Sequence, residues 1–270
     1  MEVPLPYSGP LDWRGMLGYF AARAIPGIEH VTEESYRRTI DGGAVELLPG
    51  GRDHLVLRVE LPTGADPEQA VQPARRMMSL DLELEEASRH LAADPIVGPL
   101  VAARPGLRVP GTWDPFETGV RAIVGQQVTV AGANTLMGRL VGRFGRPAPA
   151  VLAAGDLAGL GLTSARAKAI RSFARAVADG SVRLDRSMDR DEFVASVVAI
   201  DGLGPWTAQY IALRLGEPDA FPTTDLGLRR AVARRAADPG AKLADLAERW
   251  RPWRALAATH LWLGEALPPP

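Results

Sequence analysis

Ile200-Asp-Gly-Leu-Gly-Pro-Trp-Thr-Ala208 is followed, one helix length later, by Phe221-Pro-Thr-Thr-Asp225. Two glycines flank one apolar residue between helical patterns, which makes a turn whose backbone N–H groups can lie bare. Pro205 suits the first position of the next helix, where a missing N–H costs nothing. Glycines beside a helix N-terminus let a phosphate approach the amides closely, and the helix dipole favours its negative charge. The segment offers an anchor for a nucleic-acid backbone, with a lone carboxylate a short way downstream.

Outward from that hairpin, residues 111–270 read as helix after helix with almost no β signature. Asp114-Pro115 opens a helix running past Ile123, 129–144 forms a second, and 145–149 is a loop. Helices follow over 156–160, 164–179, 191–199, 205–215, 226–236, 243–249 and 252–265, before a frayed Pro268-Pro-Pro270 tail. Residues 1–110 read differently. Asp12 caps a helix over Trp13–Arg23, and strand candidates lie at 28–31, 36–40, 44–48 and 54–61, with Asp41-Gly42-Gly43 as a hairpin turn. Further helices begin at Asp66-Pro67 and run over 81–91. Pro105-Gly106 and Pro110-Gly111 mark a boundary. The expected fold is α+β: an N-terminal antiparallel sheet with helices over 1–110, then a mostly α-helical bundle over 111–270.

The chain of 270 residues, 46% of them hydrophobic, suffices for a large core. It has no cysteine, which excludes disulfides and cysteine-held iron–sulfur clusters. No apolar run reaches membrane-spanning length, and the N-terminus lacks a signal-peptide layout, so a soluble cytoplasmic protein is expected. A net charge of −1 argues against indiscriminate binding to nucleic acid. The charge is uneven, however. Residues 1–110 carry 11 Lys/Arg against 16 Asp/Glu, and residues 111–270 carry 20 against 16. The hairpin half thus has a mild positive bias, suited to meeting a few phosphates. Only Lys168 and Lys242 are lysines.

Taken singly, these features have plain readings. A Gly-x-Gly turn can simply join packed helices, and Asp225 can be only the N-cap of the helix after it. Trp206, Tyr210 and Trp262 can be core aromatics. His260 reads as a helix-face residue, and Arg229, Arg230, Arg234 and Arg235 as a solvated face within reach of phosphate.

Their order along the chain is more specific. The chain resembles the helix-hairpin-helix DNA glycosylases, and within them the bacterial 3-methyladenine DNA glycosylase II family. Trp13–Arg23 is similar to that family's N-terminal helix, and Gly119-Val-Arg-Ala-Ile-Val-Gly-Gln-Gln-Val-Thr129 to its helix-and-loop. Gly161-Leu-Thr-Ser-Ala-Arg-Ala-Lys-Ala169 is similar to the segment before the hairpin. Pro252-Trp-Arg-Ala-Leu-Ala-Ala-Thr-His-Leu-Trp262 is similar to its terminal helix.

The resemblance implies a hydrolase that flips an alkylated purine out of damaged double-stranded DNA and releases it, leaving an abasic site. It implies that amides of Gly202, Gly204, Trp206 and Thr207 hold a phosphate and that Asp225 is the catalytic carboxylate. Trp206, Tyr210 and Trp262 would form the base pocket, with Tyr19 reaching in from the N-terminal domain. Electron-rich faces attract a cationic base. Relatives that also nick DNA carry a lysine two residues after the second hairpin glycine. Trp206 stands there, so no lyase step is expected. A monovalent cation on hairpin carbonyls is common in the superfamily; no other cofactor and no obligate protein partner is implied, and a monomer is expected.

Two departures bear on specificity. Gln127 stands where relatives insert an apolar leucine into the gap left by the flipped base. Leu226-Gly227, where relatives hold bulkier residues, suggests a roomier pocket. Two other readings stay open: a glycosylase for deaminated or otherwise damaged bases, and a catalytically silent binder of DNA damage.

Overall fold

The computed structural model describes residues 1–62, 64, 66–238 and 240–266. Five strands form one antiparallel sheet: β1 (Glu2–Pro6), β2 (Glu29–Val31), β3 (Tyr36–Ile40), β4 (Gly43–Pro49) and β5 (His54–Glu60), in the order β1-β5-β4-β3-β2. Alternation fixes the buried face: Leu55, Leu57 and Val59 point inward, while Arg58 and Glu60 point out. That face packs on α1 (Trp13–Arg23) and α2 (Glu68–Met78). Asp12 caps α1 by accepting from the Gly15 amide at 2.8 Å. β1 was not expected, because Pro4 and Pro6 argue against a strand. It lies at the sheet edge, where proline is tolerated, and pairs Leu5 with Leu55.

The helical core is larger. It is built on α5 (Pro115–Val124), buried along nearly its whole length. Around it lie α6 (Val130–Phe144), α8 (Ser164–Ala178), α9 (Arg190–Val198), α10 (Pro205–Arg214), α11 (Leu226–Ala233), α12 (Leu243–Ala247) and α13 (Arg254–Ala266). Gly119 allows close helix packing: a Cβ there would sit 2.4 Å from Phe173, whose ring stacks on Phe116 at 5.7 Å. One buried ion pair ties the two cores together. Arg38 of β3 donates to Glu117 of α5 at 2.7 Å and to Glu29 at 3.1 Å.

Some elements differ from expectation. Residues 156–160 form a turn, and the helix precedes them as α7 (Pro149–Ala154). Pro149 takes a first-turn position there, whereas Asp156 satisfies only the amide of Ala158. α3 (Leu84–Ala92) starts three residues later than expected, α4 (Gly98–Ala103) follows it, and α11 stops at Ala233. Leu84, Leu91, Val97 and Val101 join the helical core, so α3 and α4 pack with the bundle although they precede residue 111. The expected Pro268-Pro-Pro270 tail lies outside the described residues. Among those described, no helix is long and apolar enough to cross a membrane.

Candidate active site

The hairpin joins α9 to α10. Gly202 adopts φ +88°, which an L side chain resists, and a Cβ there would meet Ala169 at 3.3 Å. Gly204 is different. Its φ of −106° suits any residue, and a Cβ on it would meet nothing within 4 Å. What its missing side chain leaves is open space beside the first turn of α10. Among the described residues, no carbonyl accepts from the amides of Gly202, Gly204, Trp206 or Thr207. The Thr207 hydroxyl is buried and accepts from Gln126 at 3.1 Å, so only its backbone amide is available to a ligand.

Asp225 caps α11 by accepting from the Leu228 amide at 2.8 Å, so the plain reading of this residue holds. The same carboxylate also accepts two indole N–H groups, from Trp206 to Oδ2 at 2.8 Å and from Trp262 to Oδ1 at 3.0 Å. Oδ1 therefore has both lone pairs occupied, while Oδ2 keeps one free. The four aromatics expected from the sequence line one cavity with this carboxylate, the two tryptophans in direct contact with it. Trp206 stacks on Tyr210 at 5.3 Å with the rings 7° apart, and Trp262 meets Tyr210 edge-on at 6.2 Å. Tyr19 arrives from α1, with its hydroxyl 3.1 Å from that of Tyr210. These residues line a cavity of about 280 Å³ whose mouth carries Val128 and Val130. That is near the lower end of small-molecule sites, room for about one base. A larger hollow of about 410 Å³ lies elsewhere, beside Arg75, Arg76 and Glu217, and lacks a stacked aromatic pair.

Gln127 is exposed in the loop at φ +55°. Its neighbour Gln126 is the one that touches the hairpin, donating to the Gly202 carbonyl at 3.3 Å. His260 is buried rather than on an outer helix face. Three arginines behind the pocket were not anticipated: Arg23, Arg121 and Arg214. Arg214 donates to both phenol oxygens, Tyr19 at 3.0 Å and Tyr210 at 2.9 Å. Its spacing of four residues from Tyr210, one helical turn, was the available signal. Lys168 pairs with Asp201 on the surface at 2.6 Å, and Lys242 lines a separate hollow. Neither lines the Asp225 cavity.

Residues 2–114 match the AlkA N-terminal domain, and residues 120–254 match the HhH-GPD superfamily of base excision DNA repair proteins. The chain belongs to the HhH-GPD superfamily. Two curated relatives extend the match. The probable bifunctional transcriptional activator/DNA repair enzyme AlkA of Mycobacterium tuberculosis is 38% identical over 97% of this chain, which spans only 56% of that relative's length. DNA-3-methyladenine glycosylase 2 of Escherichia coli is 34% identical over 98% of both chains. Among solved structures, the 3-methyladenine DNA-glycosylase from Archaeoglobus fulgidus superposes with a TM-score of 0.84 over 98% of both chains, at 24% identity, a likeness of fold. The HhH-GPD match spans the hairpin, Asp225 and three of the pocket's helices. Tyr19 and Trp262 lie outside it.

Proposed function

We propose that this HhH-GPD protein is a monofunctional DNA glycosylase that hydrolyses the N-glycosidic bond of alkylated purines, such as 3-methyladenine and 7-methylguanine, in duplex DNA. The observation that carries the reading is Asp225, held by two indoles at the wall of a one-base cavity and one helix away from bare hairpin amides. The hairpin amides take a phosphate of the damaged strand, and the flipped base enters between Trp206, Tyr210 and Trp262. Gln127 follows into the gap, beside the exposed apolar Val128 and Val130. Arg229 and Arg230, exposed on α11, face further phosphates.

Alkylation at a ring nitrogen makes the purine cationic, so it leaves as a neutral base and needs little acid catalysis. Positive charge develops instead on the sugar. The free lone pair of Asp225 Oδ2 is the atom available to that charge or to the attacking water, while three N–H donors fix the carboxylate's orientation. With Trp206 at the position a lyase gives to lysine and no amine in the cavity, the product is an intact abasic strand. No second copy is needed to complete the pocket, so the unit of action is the monomer. Ile200 and Gly202 carbonyls already accept from Leu203 and Gln126, which leaves those of Asp201 and Leu203 to any monovalent cation on the hairpin. Such an ion would stiffen the turn that meets the phosphate.

Incubation with methylating-agent-treated duplex DNA tests the reading. Release of free 3-methyladenine or 7-methylguanine, with strand nicks only after alkali, is expected. Nicks before alkali would overturn the monofunctional reading. Retained affinity without base release would make the protein a damage binder, and release of hypoxanthine or uracil from a deaminated duplex run in parallel, with none from the methylated one, would change the substrate class.

A further inference from the structure

Arg214 is a buried charge that the reaction above does not use. It is 6% exposed, and among the described residues no carboxylate pairs with it. Nε donates to the Pro110 carbonyl at 2.6 Å, Nη2 to that of Gly111 at 2.6 Å, and Nη1 to both phenol oxygens of Tyr19 and Tyr210. Those oxygens lie 3.1 Å apart.

Counting hydrogens around the two phenols exposes a surplus. Arg214 supplies the proton in each of its two contacts, and the contact between the phenols holds one more. Two neutral phenols own two protons. The second has no acceptor among the described residues, because every partner of these oxygens is already a donor. A guanidinium buried without an anion is costly, and the half-buried Tyr210 finds no protein acceptor for its O–H. Loss of that one proton removes both faults.

The surrounding charges favour that loss. From α1, the Arg23 guanidinium lies 3.9 Å from the centroid of Tyr19. From α5, Arg121 lines the same cavity, and from α10 comes Arg214. Against these three cations stand Asp225 of α11, on the pocket side, and Glu29 of β2, already engaged by Arg38 and Tyr36. Among the described side chains, α13 contributes only the neutral Trp262.

We propose that Tyr19 and Tyr210 come to share one proton as the pH rises through neutrality, Tyr19 donating and Tyr210 accepting as a tyrosinate, and that this anion selects bases carrying positive charge. The selection half rests on the reading of the cavity as a base pocket. Burial pushes the Tyr210 phenol up, but Arg214, Arg23, the Tyr19 donor and Arg121 outweigh it and bring the group down to about 7. Burial is the leading cause for Tyr19 too, and there it prevails, so that phenol is raised. An anionic ring, stacked on Trp206, presents a more electron-rich face to a cationic purine and gains nothing comparable from an undamaged one.

The chain has four tyrosines, which makes the state of Tyr210 directly readable. Tyr7, Tyr19 and Tyr36 are all raised, so a near-ultraviolet difference titration of the free protein should show one tyrosinate with a midpoint at about 7. The signal should vanish in Tyr210→Phe and move to higher pH in Tyr19→Phe. A wild-type protein with no tyrosinate below the ordinary phenol range overturns the proposal. The probes for selection are 1-methylquinolinium, a permanent cation, and quinoline, its uncharged counterpart, each followed by tryptophan quenching. Their affinity ratio should rise about tenfold across the transition, equivalent to a shift of about one pH unit in the bound state. It should stay flat in Tyr210→Phe. A ratio independent of pH in wild type overturns the selection. The titration uses free protein, so its failure leaves the glycosylase reading standing, and absent base release leaves the tyrosinate standing.

Discussion

Trp262 reaches Asp225 through the space that residue 227 leaves empty. A Cβ on Gly227 would lie 3.0 Å from Asp225 Oδ1 and 3.6 Å from the Trp262 indole nitrogen. The sequence reading of Gly227 as a source of pocket room is therefore corrected: the indole fills that room. Gly227→Ala should slow base release about tenfold by pushing Asp225 Oδ1, 3.0 Å from the new methyl, out of its place between its donors, with the unfolding midpoint nearly unchanged. Single-turnover kinetics beside a denaturant titration measures both.

Asp225→Asn keeps the shape and removes the charge. Base release should fall by roughly 10²-fold or more, the scale of losing one preorganised charge-stabilising group. Affinity for DNA carrying a stable lesion analogue should persist. Turnover equal to wild type would take the carboxylate out of the chemistry.

Trp206→Phe separates two roles of one side chain, since the ring can still stack on Tyr210 while the donor to Oδ2 is lost. A hydrogen bond to a charged group is worth about 1.5–3 kcal/mol. Release should slow by about 10- to 100-fold while lesion affinity changes far less. Parallel losses in both would mean that stacking is the main contribution.

The two hairpin glycines should fail differently. Gly202→Ala forces a side chain into φ +88° against Ala169, and should lower stability by about 1 kcal/mol. Gly204→Ala adds a methyl to open space. It should leave stability alone, weaken DNA binding at every salt concentration and flatten the salt dependence by about one phosphate contact. Equal effects from both would contradict the phosphate reading.

His260 gives the fold an acid limit. Burial, followed by the nearby Arg104, lowers its imidazole from 6.5 to about 4, against a smaller opposing effect of Asp12. The unfolded chain binds this proton more readily, so stability is complete above about pH 6.5 and is lost as the pH falls toward about 4. The full loss is on the order of 3 kcal/mol. Urea midpoints of wild type and His260→Leu, taken across that interval, should converge toward acid. Parallel curves would remove His260 as the cause.

The hairpin glycines and the lone carboxylate after them were legible because they are near one another in the chain. The catalytic role of Asp225 and the pocket roles of Trp206, Tyr210, Trp262 and Tyr19 came from family resemblance, since their types alone also suit a helix cap and core aromatics. Gln127 was chosen as the inserting residue by family position alone, and the contact of Gln126 with the hairpin was missed. The left-handed turn at Gln127 separates their side chains, and nothing in a Gln-Gln pair announces it. Arg214 was less legible still. Its meaning depends on the Pro110 carbonyl, 104 residues earlier, and on a tyrosine from another domain.

That arginine also binds the rear of the pocket to the junction between the two halves of the chain. Any redesign that enlarges the cavity at Tyr19 or Tyr210 strips a partner from a buried cation whose remaining bonds hold residues 110 and 111 in place. Pocket shape and interdomain rigidity are thus coupled through one side chain. Natural variants with broader appetites should carry compensating changes at the junction, well outside the pocket itself.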